Sequence, residues 1–333
     1  MGIVPTLCLL IVLILVGFVL IIKGGDIFVD GAVEIATATK IPSLLIGATI
    51  VSIGTTLPEI TVSYIAAFQG DASLAVSNSV GSMLCNVALI LGVALSFAIA
   101  KLDKKSFISK IAFVILVTSM TMIFIIDLTL TFVELIALFL IFFIFIAVNV
   151  TEAIKKSKEA TESSEEVEKY TAKDMAISGV KLLVGGFAIF VGAQLLVNNV
   201  SIIATDYLKI STTIVGFTIV AFGTSLPELA TSINAIKKKN IDLSIGNVMG
   251  ANVINASLIV GGSGLLASRN NAFNLVLDSS QMGIIIAGVA ALLISVLILV
   301  IPILIKSRTY KIQGISMIAI YFAYLAYILS TVI

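Results

Sequence analysis

Residues 47–59 read GATIVSIGTTLPE, and residues 216–228 read GFTIVAFGTSLPE. The two stretches are offset by 169 residues. The same offset carries Gly81, Ser82 and Asn86 onto Gly250, Ala251 and Asn255, Gly92 onto Gly261, and Lys40 onto Lys209. A constant offset without gaps marks a duplicated unit rather than two chance motifs. Each copy sets one glutamate, Glu59 or Glu228, roughly midway along an apolar run.

The rest of the chain defines the medium around those glutamates. Of 333 residues, 59% are hydrophobic and 12% charged, against about 25% charged in an ordinary soluble domain. That deficit excludes a water-exposed globule, and apolar runs near the ~18 residues that cross a bilayer recur from end to end. The pattern predicts an all-α membrane protein with ten transmembrane helices, at about 5–37, 42–68, 72–100, 107–126, 129–151, 174–206, 211–236, 241–267, 279–305 and 312–332. Residues 1–151 and 174–333 form two five-helix repeats. Between them, 152–173 reads as a solvated linker with Lys155, Lys156, Lys158 and Glu159 followed by Glu162, Glu165, Glu166 and Glu168. Asp26, Asp30 and Glu34 share one face of the first helix by their i, i+4 spacing and read as its water-facing end. The run 7–22 lacks the basic flank of a cleavable signal, and the N-terminal myristoylation pattern is taken as chance. A net charge of +1 gives no field for nucleic acid, and Cys8 and Cys85 read as free thiols in apolar runs. Histidine is absent, which excludes imidazole relays and His-based metal sites, so any ion site must use oxygen ligands.

Five helices per unit put the second copy upside down. With the linker cytoplasmic, the inside loops hold Lys40, then Lys101, Lys104 and Lys105, then Lys237, Lys238 and Lys239, then Lys306, Arg308 and Lys311, whereas the outside loops hold only Lys209 and Arg269. This basic bias places both termini outside the cell membrane. Inverted repeats with a site near the midplane are a recurring transporter architecture.

A charge at bilayer depth costs at least ~2.5–3.5 kcal/mol, and no Lys or Arg stands in the central part of the glutamate helices or of the helices after them. A bound cation is the simplest compensation. Pro58 and Pro227 remove a backbone donor, and Gly54 and Gly223 loosen the same turn. A helix break there frees carbonyls, which are tolerated at depth only where protein or a wet cavity satisfies them. Carbonyls, threonine hydroxyls and a carboxylate make a hard-cation shell that suits Ca²⁺ and Na⁺. Asn78, Ser82 and Asn86 share one helix face, with Asn247, Ala251 and Asn255 as counterparts. Each feature has a plainer reading: a proline kink, small-residue helix packing, or protonated, hydrogen-bonded glutamates. Their conjunction, twice at one offset, favours the cation site.

These motifs resemble the α-repeat signatures of the calcium/cation antiporter superfamily, most of all its sodium/calcium exchanger branch. The resemblance extends over the ten-helix layout and the central linker. It implies that Glu59 and Glu228 bind Ca²⁺ and share Na⁺ sites. Thr55 and Thr224 would add hydroxyl and carbonyl oxygens, and the carbonyls of Ser52 and Ala221 would serve flanking Na⁺ sites. Ser82 would complete one such site, while Asn86 and Asn255 would line the centre. The first helix of each repeat would slide across the core. Two departures stand out. Ala251 occupies a position where the second repeat of the family usually has Ser, which implies a weakened or displaced flanking Na⁺ site. Asn255 stands where potassium-dependent members have Asp, which argues against potassium dependence. The Gly-Asn-Ala-x-Glu motif typical of proton/calcium members is missing.

The expectation is therefore a secondary antiporter rather than an enzyme. Its partners would be Ca²⁺, Na⁺ and the lipid bilayer, with no resident cofactor, and it would be a monomer or weak oligomer. A proton/calcium exchanger remains the alternative. A cation channel remains from another class, since repeated polar motifs can also line a pore. An intramembrane hydrolase lacks both a histidine base and a paired catalytic Asp motif.

Overall fold

The computed structural model describes residues 3–70, 72–97, 104–162, 171–207, 214, 216–269, 275–276 and 282–332, nearly all of them helical. The first half holds α1 (Ile3–Thr39), α2 (Ser43–Thr55), α3 (Leu57–Gln69), α4 (Leu74–Phe97), α5 (Lys104–Ile125) and α6 (Phe132–Glu162). The second holds α7 (Ala172–Ile202), α8 (Ala221–Thr224), α9 (Leu226–Lys237), α10 (Ile241–Ala267), α11 (Met282–Lys306) and α12 (Lys311–Val332). One departure from all-helical structure is a short antiparallel pair, β1 (Thr129–Leu130) with β2 (Leu275–Val276). Lys101, Lys209, Glu165, Glu166 and Glu168 lie outside the described residues.

Among the described residues, eight helices are long and apolar enough to cross a membrane, and the bent pair α2–α3 makes a ninth. The expected span 211–236 falls partly outside the described residues. Its described part is a widened π-helical turn at Gly216–Val220 followed by α8 and α9. The equivalent turn opens α2 at Gly47–Val51, and others widen α4 at Cys85–Leu91 and α10 at Asn255–Ser263. Such turns cluster at functional positions because they shift side-chain register within one helix. Burial separates core from periphery. The apolar window of α10 is 94% buried and that of α4 78%, against 22% for α1 and for α6. The polar α4 and α10 are therefore sheathed, and the outer helices meet lipid with residues such as Leu15, Val19, Leu183 and Phe187.

Glycines set how closely the helices approach. A Cβ on Gly17 would fall 2.7 Å from the Gly192 carbonyl oxygen, one on Gly24 2.9 Å from that of Gly185, and one on Gly31 2.7 Å from that of Ser178. As one number rises the other falls, so α1 and α7 run antiparallel along their shared length. The core crossing of α2 and α10 is tighter still. A Cβ on Gly47 would meet the Leu243 oxygen at 2.4 Å, and one on Gly246 the Leu44 oxygen at 2.2 Å.

Two of the three acids of α1 are paired: Glu34 with Lys181 on α7, and Asp30 with Lys238 just past α9. Helix α6 runs eleven residues into the segment expected to be linker, to Glu162. Residues 152–162 are good helix formers in continuous register with the span, and the Lys155–Glu159 i, i+4 pair supports the exposed turns. Buried Lys110 on α5 pairs with Glu152 at the start of this extension.

Gly246→Ala should cost about 1–3 kcal/mol through overpacking against backbone. Gly179→Ala, where an added Cβ meets nothing within 4 Å, should leave the detergent-phase melting temperature within error of wild type.

Candidate functional site

The chain bends by 46° between α2 and α3. Thr56 at the joint has φ −81° and ψ 1°, and its counterpart Ser225 has φ −80° and ψ 0°. In both places proline stands in the first turn of the outgoing helix, where its missing N–H costs no helical bond. The following residue is the glutamate. Glu59 and Glu228 are fully buried, together with Ser52, Thr55, Thr56, Asn78, Ser82, Asn86, Thr224 and Asn255.

The two halves clasp each other's carboxylates. Thr56 Oγ1 donates to Glu228 Oε1 at 3.2 Å, and Ser225 Oγ donates to Glu59 Oε1 at 3.3 Å. Thr55 also approaches Glu228, and Thr224 approaches Glu59. The two carboxyl groups are close enough to sense each other's charge. A second reciprocal pair surrounds the first. Thr55 Oγ1 donates to Asn247 Oδ1 at 3.1 Å, and Thr224 Oγ1 donates to Asn78 Oδ1 at 3.3 Å. The amide nitrogens then anchor the asparagines, Asn78 to Ser63 at 2.9 Å and Asn247 to Thr231 at 3.1 Å.

The outer oxygens differ between the halves. Ser82 Oγ donates to the Ala221 carbonyl at 3.3 Å and lies 3.3 Å from Thr224 Oγ1. At the equivalent crossing, Ala251 has no hydroxyl to offer the Ser52 carbonyl. Asn255 is tied down, with its Nδ2 donating to the Ala251 carbonyl at 3.0 Å and Ser79 donating to its backbone oxygen at 2.8 Å. Among the described residues, neither amide atom of Asn86 has a hydrogen-bond partner, and the same holds for Glu59 Oε2 and Glu228 Oε2.

Of the nine residues singled out from the sequence, Ser52, Thr55, Glu59, Ser82, Ala221, Thr224 and Glu228 are joined by these contacts among α2, α3, α4, α8 and α9, whereas Asn86 on α4 and Asn255 on α10 are buried without a described contact to either carboxylate. The sequence analysis assigned no role to Thr56 and Ser225, which grip the carboxylates, and left Asn78 and Asn247 as face-sharing neighbours. Their signal was present, since each pair recurs at the same offset. Among the described residues, no group of three or more His, Cys, Asp or Glu side chains converges. A cation held here would meet two carboxylates and otherwise neutral oxygens. Buried polar atoms without partners carry a desolvation penalty, and here four such atoms belong to three buried side chains, Glu59, Glu228 and Asn86.

A helical membrane protein with a broken-helix core and paired buried carboxylates is a class shared with known proteins. The family model described as sodium/calcium exchanger protein matches residues 9–151 and 177–330. The putative antiporter CaxA of Alkalimonas amylolytica is 35% identical over 77% of this chain and 80% of its own length. The sodium/calcium exchanger MaX1 of Methanosarcina acetivorans is 28% identical over 76% of this chain and 82% of its own. The solved structure of the sodium-calcium exchanger NCX_Mj superposes with a TM-score of 0.77 at 30% identity, covering 96% of this chain and 99% of that one. The chain belongs to the sodium/calcium exchanger protein family.

In chelating buffer, Glu228→Gln should melt no lower than wild type, because it removes one of two buried like charges. Asn247→Ala should lose about 1 kcal/mol, since it removes a buried amide that accepts from Thr55 and donates to Thr231, whose hydroxyls keep the Ser52 and Glu228 carbonyls. Thermal melts of both variants in one detergent check the contrast.

Proposed function

We propose that this chain is a secondary antiporter that exchanges Ca²⁺ for Na⁺ across the cell membrane by alternating access. The observation that carries the reading is the reciprocal clasp of Glu59 and Glu228, each with one carboxylate oxygen bonded across the repeat and the other without a partner among the described residues. Two carboxylates neutralise one Ca²⁺ or are shared among several Na⁺, so competition for the same oxygens couples the ions. Thr55, Thr224, Ser82, Asn86, Asn255 and the carbonyls of Ser52 and Ala221 supply the neutral remainder of the shell. Membership of the exchanger family supports cation/Ca²⁺ exchange, and the lack of a proton/calcium motif favours Na⁺ as the counter-ion.

The same reading takes residues 1–151 and 174–333 as two inverted five-helix repeats within a ten-span protein, with a cytoplasmic linker over 152–173 and both termini outside. The antiparallel course of α1 and α7, equivalent helices of the two halves, supports that inversion. Their shared glycine seam suits a unit that moves as one body across α2–α4 and α8–α10. The protein works as a monomer or weak oligomer and needs no resident cofactor.

Proteoliposomes loaded with Na⁺ and placed in Na⁺-free medium should accumulate Ca²⁺, and collapsing the Na⁺ gradient should stop uptake. Uptake that follows a pH gradient and ignores Na⁺ would assign proton/calcium exchange instead, and single-channel current without exchange would assign a channel. Glu59→Gln should lower uptake about 10- to 100-fold, the loss expected for a charged ligand.

A further inference from the structure

The two paired acids of α1 have different kinds of partner. Glu34 pairs with Lys181 on α7. Both ends of that bond lie in the seamed α1–α7 unit, so it travels with the unit. Asp30 pairs with Lys238, just past the end of α9. That bond leaves the unit and ends on the core. Before it, α1 lies directly on α9, since a Cβ on Gly25 would fall 3.3 Å from Ala230 Cβ and 3.5 Å from Asn234 Nδ2. A second link of the same kind holds the end of α1. Ser157 Oγ, on the extension of α6, donates to the carbonyl of Thr39, the last residue of α1, at 2.6 Å. Helix α6 is itself seated on α10, where a Cβ on Gly261 would fall 2.6 Å from the Phe139 backbone nitrogen. Both links therefore tie the unit to the core at the end where the linker begins.

The backbone fixes Lys238 in place. Helix α9 closes with the Asn240 amide on the Ala235 carbonyl at 2.8 Å and the Lys239 amide on the Ile236 carbonyl at 2.9 Å. Lys239 takes the left-handed position of that closure, with φ 58°. Glycine is the usual residue there, and the equivalent position of repeat one has it, Gly70 with φ 86°. Among the described residues the two links have no counterpart at the other end of the unit. By the 169-residue offset Asp30 corresponds to Asn199, Lys238 to Gln69 and Ser157 to Ala326. Asn199 donates to the Leu195 carbonyl of its own helix, Gln69 has no charge and Ala326 no donor. Helix α7 also packs on α3 less extensively than α1 packs on α9.

We propose that the Asp30–Lys238 pair, backed by Ser157, is a one-sided latch that fastens the α1–α7 unit to the core at the linker end and biases the transporter toward opening at the opposite face. The inference rests on the antiport reading and on the movement of that unit, and adds to them what sets the resting direction. A sliding α1 carries Asp30 past α9, so the pair is made in one position of the unit and broken in the other. Both side chains are partly exposed, and an ion pair in that setting shifts an equilibrium about 1.5- to 5-fold. The latch therefore tilts the cycle without locking it.

The test uses right-side-out and inside-out membrane vesicles carrying the full-length chain, which present opposite faces to the bath. The half-saturating Ca²⁺ concentration for Na⁺-driven uptake is measured on each. Apparent affinity at a face scales with the population of the state open there, so the ratio of the two values reports the bias. D30N and Lys238→Gln should each move that ratio about two- to fivefold toward tighter binding at the linker face, and Ser157→Ala should move it the same way. D30K combined with Lys238→Asp restores the pair with its charges exchanged and should restore the ratio. Glu34→Gln breaks a bond whose partners ride together and should leave the ratio unchanged. An unmoved ratio in D30N or Lys238→Gln, a charge exchange that fails to restore it, or an equal shift in Glu34→Gln overturns the latch. Should D30N fail to reach the membrane, Lys238→Gln, on an exposed turn, decides alone. A wild type whose Ca²⁺ uptake ignores Na⁺ removes the antiport reading itself, whereas Na⁺-driven uptake with an unmoved ratio removes only the latch.

Discussion

Two carboxylates sealed in one interior are the constraint around which the molecule is organised. Glu59 and Glu228 are fully buried and near enough for their charges to interact. Unpaired charge at such depth is costly, and like charge makes it costlier. The protein does not answer with lysine. Its buried or half-buried Lys110 and Lys181 pair with Glu152 and Glu34 away from this centre. It answers with hydroxyls and amides. Thr56 and Ser225 donate to the carboxylates, with Thr55 and Thr224 beside them, so the pair is held by neutral donors that can rotate. A fixed cation would have neutralised the pair once and permanently.

That demand propagates outward through backbone geometry. A hydroxyl one or two residues from a helix break can reach across to the other repeat only if the helices nearly touch. The approaches at Gly47, Gly246, Gly81 and Gly250, all below 3.0 Å from an added Cβ, are the result. Side chains of ordinary size would hold the repeats apart and leave Thr56 short of Glu228. The glycines also account for the burial contrast. The polar α4 and α10 can be wrapped on all sides because their neighbours press so close, while α1, α6 and α7 spend apolar surface on lipid. In a membrane, where lipid is as apolar as the helices, such close backbone packing replaces the hydrophobic drive of water-soluble cores.

Much of this was legible in the chain. The offset identified Glu59 and Glu228, the breaks before them and the asparagine helices after them, and hydropathy located most of the spans. Contact between the copies was not legible. An offset states that Thr56 and Ser225 are equivalent, yet it does not say that each grips the other repeat's glutamate. Nor could it show that Asn78 serves Thr224 rather than its own Thr55. The end of α6 was misjudged for a related reason. Charge marks residues 152–162 as leaving the bilayer, but charge is no obstacle to a helix whose lysines and glutamates fall at i, i+4. Ser52 gives the sharpest case. Sequence pairs it with Ala221, whereas the fold packs it against Gly250 and turns its hydroxyl to the Thr49 carbonyl.

The two repeats match at the centre and differ around it. Glu59 and Glu228, the prolines before them, and the hydroxyls that donate to them are matched across the offset. Beside them Ser52 stands against Ala221 and Ser82 against Ala251, while Asn86 and Asn255, identical in sequence, differ in setting, since Asn255 is bonded back to its own helix. Farther out even charges are unmatched: Asp26, Asp30 and Glu34 fall opposite Leu195, Asn199 and Ile203. The match is kept where a side chain of one repeat reaches a carboxylate of the other, because a hydrogen bond between the repeats needs both of its ends.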